Sequence, residues 1–338
     1  MQRLGFTLID TLALAALAAT LGAVWTATAP QPAPQPEGMV ERPLAVPQRQ
    51  QGLMTAMLAA RQSGRTLKDA DQLRLLVQSA DLFAIDNNDM FPMPSRLDRN
   101  NFTIDALPES KDTTGNIYSI FIQYGYVTAA LIMSPLERNP AIKPYNDYEL
   151  SEPTAATDPK RAMWDPGLSA DFTDADGGHT SYAHHVPEPS SRWKVSFRST
   201  DITFANRGPE IERTEPLEDG TTVTRFADGG SNALNLIFRH QTVKPSWSGN
   251  TARNDASVLI MEKRYADNAR VLSGPGDPML PRTGPDGEER FYDDVLFVNE
   301  VPDRQAEGSS FAAVARNQWL GIFIESGATR DSFKAIYD

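Results

Sequence analysis

The sequence contains no cysteine and no basic stretch, and each absence excludes a class of protein. Without cysteine, the 338-residue chain can form no disulfide, no thiolate zinc site and no cysteine nucleophile. Lysine and arginine number 32 against 44 aspartate and glutamate residues, and the formal net charge is -12. Because no basic segment can neutralise phosphates, we expect no nucleic-acid partner. No residue pattern indicates a cofactor, and none is predicted.

A long apolar run covers residues 6–28 and contains one ionisable side chain, Asp10. As a helix, it could span about 30 Å of hydrocarbon. A cleaved signal peptide would use Ala27-Thr28-Ala29 as its cleavage site, but the run is long for a signal core and Pro30 follows that site directly. An uncleaved anchor would place Arg3 in the cytoplasm. It leaves Asp10 unexplained, at a cost of about 3 kcal/mol near a bilayer centre.

A third interpretation explains the carboxylate. Residues 5–10, GFTLID, resemble the N-terminal signature of type IV pilins and type II secretion pseudopilins. In that signature a short basic leader ending in Gly precedes Phe-Thr-Leu-Ile-Glu and an apolar helix. The resemblance implies that a prepilin peptidase cleaves between Gly5 and Phe6 and methylates the new Phe6 amine. Asp10 stands where the family has Glu. The resemblance implies that it pairs with the N-terminal amine of a neighbouring subunit, since an acid in apolar surroundings needs a cation.

These observations divide the chain into four predicted segments. Residues 1–5 are a prepilin leader, and residues 6–28 are a transmembrane and assembly helix with Trp25 at the membrane interface. Residues 29–47 are rich in proline, which favours extended conformations, so a semi-rigid linker or stalk is expected. Residues 48–338 form an extracytoplasmic head. The predicted location is the inner membrane, with a single span, or a surface filament.

A second resemblance lies in residues 72–92, QLRLLVQSADLFAIDNNDMFP. This stretch is similar to a segment that follows the first helix in a large bacterial set of pilin-like proteins. That set often carries a C-terminal H-x9-D-G motif. Other fragments match in the same order, at residues 126–135, 179–184, 202–209 and 282–299.

The H-x9-D-G motif itself is absent from this chain. At the corresponding place stand residues 256–272, ASVLIMEKRYADNARVL, whose pattern predicts two strands joined near Asp267 and Asn268. The histidine and glycine of the motif are missing, so no role of that motif is transferred.

The first part of the head has a helical pattern. We predict a helix over 53–61, a break at Gly64, and a new start where Thr66 and Asp69 resemble a capping box. Turn-forming residues 86–89 end it. One apolar stripe is expected to pack against a sheet, and a partner groove is the alternative. The stripe comprises Leu73, Leu76, Val77, Ala80 and Phe83 or Ala84.

The remainder of the chain is rich in predicted strands and turns. Two polar stretches, 135–178 and 272–290, are expected to wrap the surface. The predicted strands are 192–197, 201–205, 221–226, 233–239, 294–298 and 319–325. The predicted fold is therefore α+β and pilin-like. It has an N-terminal membrane-spanning helix, a Pro-rich stalk, and a second helix packed on an antiparallel β-sheet head.

Three strings match, in order, the motifs of penicillin-recognising serine enzymes: Ser191 to Lys194, Ser248 to Asn250, and Arg282 to Gly284. Their spacing is compressed. The nucleophile of that class opens a buried helix, whereas the residues after Trp193 alternate like a strand. A serine hydrolase is therefore the least favoured interpretation of the head.

Metal chemistry also has little support in the sequence. The chain has four histidines, and His184 and His185 cannot point to one face of a strand. His179, His184 and His185 are expected at the surface more than as ligands. Asp171, Asp174 and Asp176 suggest a calcium loop, but the EF-hand spacing is absent, so a solvated acidic turn is favoured. No metal site is predicted.

The predicted function is a non-enzymatic, structural pilin-like or pseudopilin subunit. Its predicted partners are a prepilin peptidase, other pilin or pseudopilin subunits through the N-terminal helix, and the inner membrane. A monomeric, membrane-anchored protein whose head binds a sugar, peptide or cation is the alternative.

Overall fold

The structure is a computed structural model that describes eleven parts of the chain. They are residues 48–189, 191–195, 199, 201–209, 211–216, 222–226, 246–264, 280–283, 289–292, 296–299 and 318–337. The chain divides into two compact units, Met1–Thr55 and Ala56–Asp338. In the first unit, the helical backbone of residues 48–55 is described. The predicted leader, the apolar run 6–28 and the linker 29–47 lie outside the described residues and stay predictions.

The described residues form three α-helices and three short 3-10 helices. The α-helices are α1 (Gln48–Ile85), α2 (Pro94–Leu97) and α3 (Thr114–Gln123). The 3-10 helices are Pro108–Ser110, Ala129–Ile132 and Arg330–Ser332.

Helix α1 is continuous over 38 residues, so the predicted break at Gly64 and start at Thr66 are wrong. Thr66 Oγ1 donates to the carbonyl oxygen of Gln62 at 3.0 Å, as a threonine inside a helix does. A Cβ on Gly64 would meet no atom within 4 Å. Glycine costs a helix about 1 kcal/mol relative to alanine, and the helix-forming residues on both sides offset that cost.

The predicted apolar stripe of α1 is confirmed as part of the core. Leu73, Leu76, Val77, Ala80, Phe83 and Ala84 are all buried. Full burial of a large apolar side chain contributes about 1.5–3 kcal/mol.

The predicted end of this helix is also confirmed. The first residues after Ile85 form a turn in which Asn88 and Asp89 adopt left-handed backbone conformations, with φ of 55° and 59°. Such conformations are tolerated by Asn and Asp more than by most residues. The N–H of Asp89 donates back to the carbonyl oxygen of Ala84 at 3.1 Å, which closes the helix.

The sheet is antiparallel, which confirms the α+β class with a helix packed on it. Six strands pair in the order β10-β9-β1-β2-β5-β6, and two separate hairpins, β3-β4 and β7-β8, complete the described strands. The strands are β1 (Tyr182–His185), β2 (Ile202–Asn206), β3 (Ile211–Pro216), β4 (Thr222–Phe226), β5 (Ser246–Arg253), β6 (Val258–Arg264), β7 (Leu280–Thr283), β8 (Glu289–Tyr292), β9 (Leu320–Glu325) and β10 (Lys334–Ile336).

Three predicted strands are confirmed, within one residue at their ends. Residues 201–205 correspond to β2, 221–226 to β4 and 319–325 to β9. The predicted strand 233–239 lies outside the described residues.

Two strand predictions are wrong over the residues that are described. Residues 192–195 contain only an isolated bridge between Lys194 and Met90. Their alternating pattern reflects the burial of Trp193, whose ring N–H donates to the carbonyl oxygen of Pro92 at 2.8 Å. Residues 296–298 form a turn and a bend, although Leu296 and Phe297 are buried.

The first strand of the hairpin predicted for residues 256–272 is confirmed as β6. It pairs with the preceding strand β5 across a turn at 254–257, a hairpin that the sequence did not predict. Asp267 and Asn268 lie outside the described residues. Strand β5 escaped prediction because its sequence, SWSGNTAR, is mostly polar.

The strands of the sheet separate two cores, because successive side chains point to opposite faces. On one face, Tyr182, Phe204 and Ala252 pack with α1 and α3. On the other, Ala183, Ala205, Trp247 and Ile322 pack with Ile142, Phe172 and Phe297.

The segment 135–178 contains no helix or strand, as its composition predicts, but it is not confined to the surface. Trp164 and Leu168 are buried in the same core as α1 and α3. The Trp164 ring N–H donates to Asn116 Oδ1 of α3 at 3.1 Å. Part of the segment therefore packs into the core beside α1 and α3.

Candidate functional site

A buried polar cluster joins α1 to the sheet around the carboxylate of Asp69. Its oxygens accept hydrogen bonds from Ser134 Oγ, from Tyr182 OH at 2.9 Å, from Asn206 Nδ2 at 3.0 Å, and from Asn250 Nδ2 at 2.6 Å. Tyr182, Asn206 and Asn250 belong to β1, β2 and β5. We call Asp69 and these four donors the Asp69 cluster.

The Asp69 cluster is a structural joint and not a reaction site. All five side chains are almost completely buried. A substrate therefore has no access to the carboxylate or to the hydroxyl groups of Ser134 and Tyr182. The sequence predicted Asp69 as a helix-capping residue, and the structure instead places it in the interior of α1.

The candidate functional site is an open cleft of about 360 Å³, a volume within the range of small-molecule sites. It lies between the first turn of α3, the end of β9, and the loop residues 103–105, 155–157 and 166–171. Since five separate segments build it, no local sequence pattern could predict it.

Two kinds of surface line this cleft. The polar side chains are Thr103, Asp105, Thr113, Asn116, Thr157, Ser169 and Asp171. The apolar ones are Ile104, Ala155, Pro166, Leu168, Ala170, Phe323 and Ile324. Among the described lining residues, none is a lysine, arginine or histidine.

Gly115 brings the backbone of α3 against the cleft wall. A Cβ at this position would lie 2.4 Å from the carbonyl oxygen of Leu168, so a larger residue would push the two segments apart. The adjacent Thr114 Oγ1 accepts the N–H of Phe323 at 2.7 Å and ties the same turn to β9. These two contacts set the shape of the cleft.

A buried ion pair fixes the loop that carries Thr103 and Asp105. The ammonium of Lys111 donates to Asp98 Oδ2 at 2.8 Å and to Asn101 Oδ1 at 2.7 Å. Asp98 also accepts the N–H groups of Phe102 at 2.7 Å and Ile104 at 2.9 Å. Burial acts to raise the pKa of Asp98, but these hydrogen bonds outweigh it and hold the pKa below its usual value.

His184 lies in the core behind the cleft and is held neutral by burial, which lowers its pKa to about 4. Its Nδ1 lies 2.8 Å from the carbonyl oxygen of His185, which can only accept, so Nδ1 carries the proton. Its Nε2 lies 2.8 Å from Thr114 Oγ1 and accepts that hydroxyl. Protonation of Nε2 would therefore break the hydrogen bond that the Thr114 hydroxyl donates to it.

We expect His184 to make the head less stable as the pH falls from about 6.5 to about 4. In that interval His184 binds a proton in the unfolded chain but not in the folded head. Its contribution to stability is therefore fully present above its pKa in the unfolded chain and is lost as the pH falls toward its pKa in the folded head. The loss amounts to about 3 kcal/mol. The measurement is the difference in unfolding free energy between wild type and His184→Gln at a series of pH values.

Asp112 provides an internal contrast for this experiment, because burial raises its pKa to about 6. Between about pH 4 and pH 6, the carboxyl of Asp112 therefore keeps its proton in the folded head but has lost it in the unfolded chain. The contribution of Asp112 to stability falls as the pH rises through this range. The difference curve for Asp112→Asn should thus slope in the opposite sense. A flat His184→Gln curve would contradict the assignment of His184 as the acid-sensitive group.

Gly5, Phe6 and Asp10, the residues that the sequence predicted as functional, lie outside the described residues and stay predictions. Ser191 does not open a helix, and its hydroxyl donates to the carbonyl oxygen of Val186 at 2.7 Å. That geometry differs from the serine-enzyme nucleophile considered above.

The histidine prediction is wrong for two of its three residues. His184 and His185 are buried and not at the surface, and they lie on opposite sides of β1 as the alternation requires. His179 is half-buried, and its Nδ1 lies 3.0 Å from the carbonyl oxygen of Lys143.

Among the described residues, no group of three or more His, Asp or Glu side chains is placed to hold a metal ion. The carboxylate of Asp171 instead accepts both the N–H and the hydroxyl of Thr173, at 2.8 Å and 2.6 Å. Asp174 and Asp176 lie in the exposed turn that follows.

Within the described part of the chain, no helix has both the length and the apolar content needed to cross a bilayer. Comparisons with family models, curated proteins and solved structures found no match to this chain.

Proposed function

We propose that the chain is a pilin-like subunit that is processed by a prepilin peptidase and assembles through its N-terminal helix into a filament or a secretion pseudopilus. The observation that carries the proposal is Asp10, a single carboxylate in the apolar run 6–28 directly after GFTLI. Cleavage after Gly5 would create an amine at Phe6 that can neutralise an acid of a neighbouring copy.

The surface of α1 supports assembly. Large apolar side chains recur along the face opposite the core stripe, at spacings that keep them within one arc of the helix. Leu67, Leu75, Leu82 and Ile85 are 68%, 42%, 51% and 74% exposed. Packing between subunits would remove such side chains from water, a favourable contribution of about 25 cal/mol per Å².

The first test is the N-terminus of the protein isolated from the membrane. Intact-mass and N-terminal sequencing should show that residues 1–5 are lost and that Phe6 carries an added methyl group. A terminus at Met1 or at Pro30 would contradict the proposal, because neither leaves an amine next to Asp10.

The second test uses the absence of cysteine. In an Ala19→Cys background, any disulfide between copies must come from the introduced thiol, so oxidative cross-linking reports helix contacts in the membrane. Asp10→Ala should abolish the cross-linked dimer because the buried acid–amine pair is lost. Asp10→Glu and the neighbouring Thr11→Ala should retain it. Unchanged cross-linking in Asp10→Ala would overturn the pairing.

A second candidate is a membrane-anchored binding protein, and the cleft beside α3 favours it. That protein would work as a monomer, so Asp10→Ala should leave its ligand binding unchanged. The cross-linking experiment separates the two candidates.

A further inference from the structure

We propose that the cleft between α3, β9 and the loops at 103–105, 155–157 and 166–171 binds a neutral polyhydroxylated ligand, a mono- or disaccharide. The inference rests on the cleft and not on assembly, so it holds whether or not the subunit polymerises.

The cleft offers both hydrogen-bond acceptors and donors that are not used within the described structure. Asp105 and Asp171 each employ Oδ1, toward Asn101 and Thr173 respectively, and no described residue donates to their Oδ2 atoms. In the first turn of α3, the N–H groups of Gly115 and Asn116 have no partner among the described residues. A hydroxyl group is the common ligand group that both donates and accepts.

Charged ligands fit this lining less well. An anion can only accept, and it would face two carboxylates without a lysine, arginine or histidine among the lining residues. A metal cation would need several oxygen ligands, and the cleft lining supplies two carboxylates, Asp105 and Asp171, while no group of three or more His, Asp or Glu side chains is placed to hold a metal in the described residues. An ammonium group could satisfy the carboxylates but leaves the N–H donors of α3 without an acceptor.

The apolar side of the cleft completes the match to a sugar. Ile104, Pro166 and Ile324 are half-buried, and their side chains form a surface with no polar side-chain atoms. The C–H faces of a sugar ring can pack on such a surface while its hydroxyls meet the polar side chains. A volume of about 360 Å³ is near the small end of ligand sites, which favours one or two rings over a longer chain.

The experiment uses the full chain in an alkyl polyoxyethylene detergent, because detergents with sugar head groups would compete. Saturation-transfer NMR and calorimetry would be recorded with glucose, galactose, mannose, N-acetylglucosamine, maltose and cellobiose. Inorganic phosphate, glucuronate, glucosamine and calcium chloride are the charged comparisons. We expect at least one neutral saccharide to bind, and to bind more tightly than any charged comparison.

Two variants locate that binding in the cleft. Ala155→Trp places a bulky ring at an exposed lining position and should abolish the saccharide signal. Asp171→Asn keeps an acceptor but removes its charge, which should weaken binding about tenfold since charge-assisted hydrogen bonds are about twice as strong. The matched controls Ala175→Trp and Asp174→Asn lie in the neighbouring exposed turn, and their affinities should stay within about twofold.

Two results would overturn the inference. In the first, no saccharide shows binding that is lost in Ala155→Trp and retained in Ala175→Trp. The other is tighter binding of phosphate, glucuronate, glucosamine or calcium at the same Trp-sensitive site. The effect of Asp10→Ala on cross-linking is independent of both results, so failure of the saccharide inference is distinguishable from failure of the assembly proposal.

Discussion

Replacing Asp69 with alanine should lower the free energy of unfolding of the head by about 4 kcal/mol. The substitution removes an acceptor that Ser134, Tyr182, Asn206 and Asn250 share. Tyr182 can still donate to Gln72 Oε1 at 3.1 Å and Asn250 to the carbonyl oxygen of Thr66 at 3.3 Å, so the buried donors of Ser134 and Asn206 carry most of the loss. Each such donor costs about 1–3 kcal/mol, reduced where a side chain turns or water enters the space. The measurement is urea unfolding followed by tryptophan fluorescence, since Trp164, Trp193 and Trp247 are buried in the head.

Asp71→Ala is the matched control, two residues further along the same helix. The Asp71 side chain is 68% exposed and pairs with Arg74 at 2.6 Å on the surface. Exposed pairs of this spacing contribute less than about 1 kcal/mol. Equal unfolding midpoints for Asp69→Ala and Asp71→Ala would refute the role of the Asp69 cluster as the joint between α1 and the sheet.

Lys111→Met should destabilise the head by about 3–5 kcal/mol. The methionine side chain fills a similar volume but leaves Asp98 without its cation, in a site where both side chains are completely buried. The pKa of Asp98 should rise once that hydrogen bond is gone. In the wild type, Asp98 stabilises the head above its pKa in the unfolded chain, and this stabilisation is lost as the pH falls through its pKa in the folded head. In Lys111→Met this pH-dependent stabilisation should be smaller.

The surface pair of Lys334 and Glu325 supplies the comparison, because it has the same chemistry without burial. Its side chains are 59% and 64% exposed, so Lys334→Met should change the unfolding free energy by less than about 1 kcal/mol. If Lys111→Met changes the unfolding free energy as little as Lys334→Met does, the buried ion pair of Lys111 and Asp98 does not stabilise the head. Lys111→Met should also alter the shape of the cleft, since the Lys111–Asp98 pair holds the loop that carries the lining residues Thr103 and Asp105.

Parts of the fold with a regular pattern could be predicted from sequence. The apolar stripe of α1 and its turn at 86–89 follow from periodicity and from the local preferences of Asn and Asp. Strands β2 and β9 follow from short apolar runs. In each case a few neighbouring residues carry the whole signal.

The omissions and errors occur where tertiary contacts override local preference. Helix α3, TGNIYSIFIQ, was not predicted, because it has the β-branched and aromatic residues of a buried strand and its helical state depends on packing against the sheet. The burial of His184 depends on Thr114 and on the aromatic rings of Trp193 and Phe323 around it. Their positions in the sequence give no sign of that proximity.

The candidate functional residues divide in the same way. Gly5, Phe6 and Asp10 belong to one short contiguous pattern, so the sequence alone carries their prediction, and they lie outside the described residues. The cleft could not, because Asp105, Gly115, Asp171 and Phe323 meet only after the chain has folded. The role of Asp69 was likewise hidden, since its four donors are distant in sequence.

The Asp69 cluster has a mechanical consequence for a subunit that is held by its N-terminal side. Three of its donors come from β1, β2 and β5, and all converge on one carboxylate in α1. A pull on the helix therefore loads those strands at the same moment and not one after another. Tension would be shared by three adjacent strands of the six-stranded sheet, and the rupture force of the head should depend on this single residue.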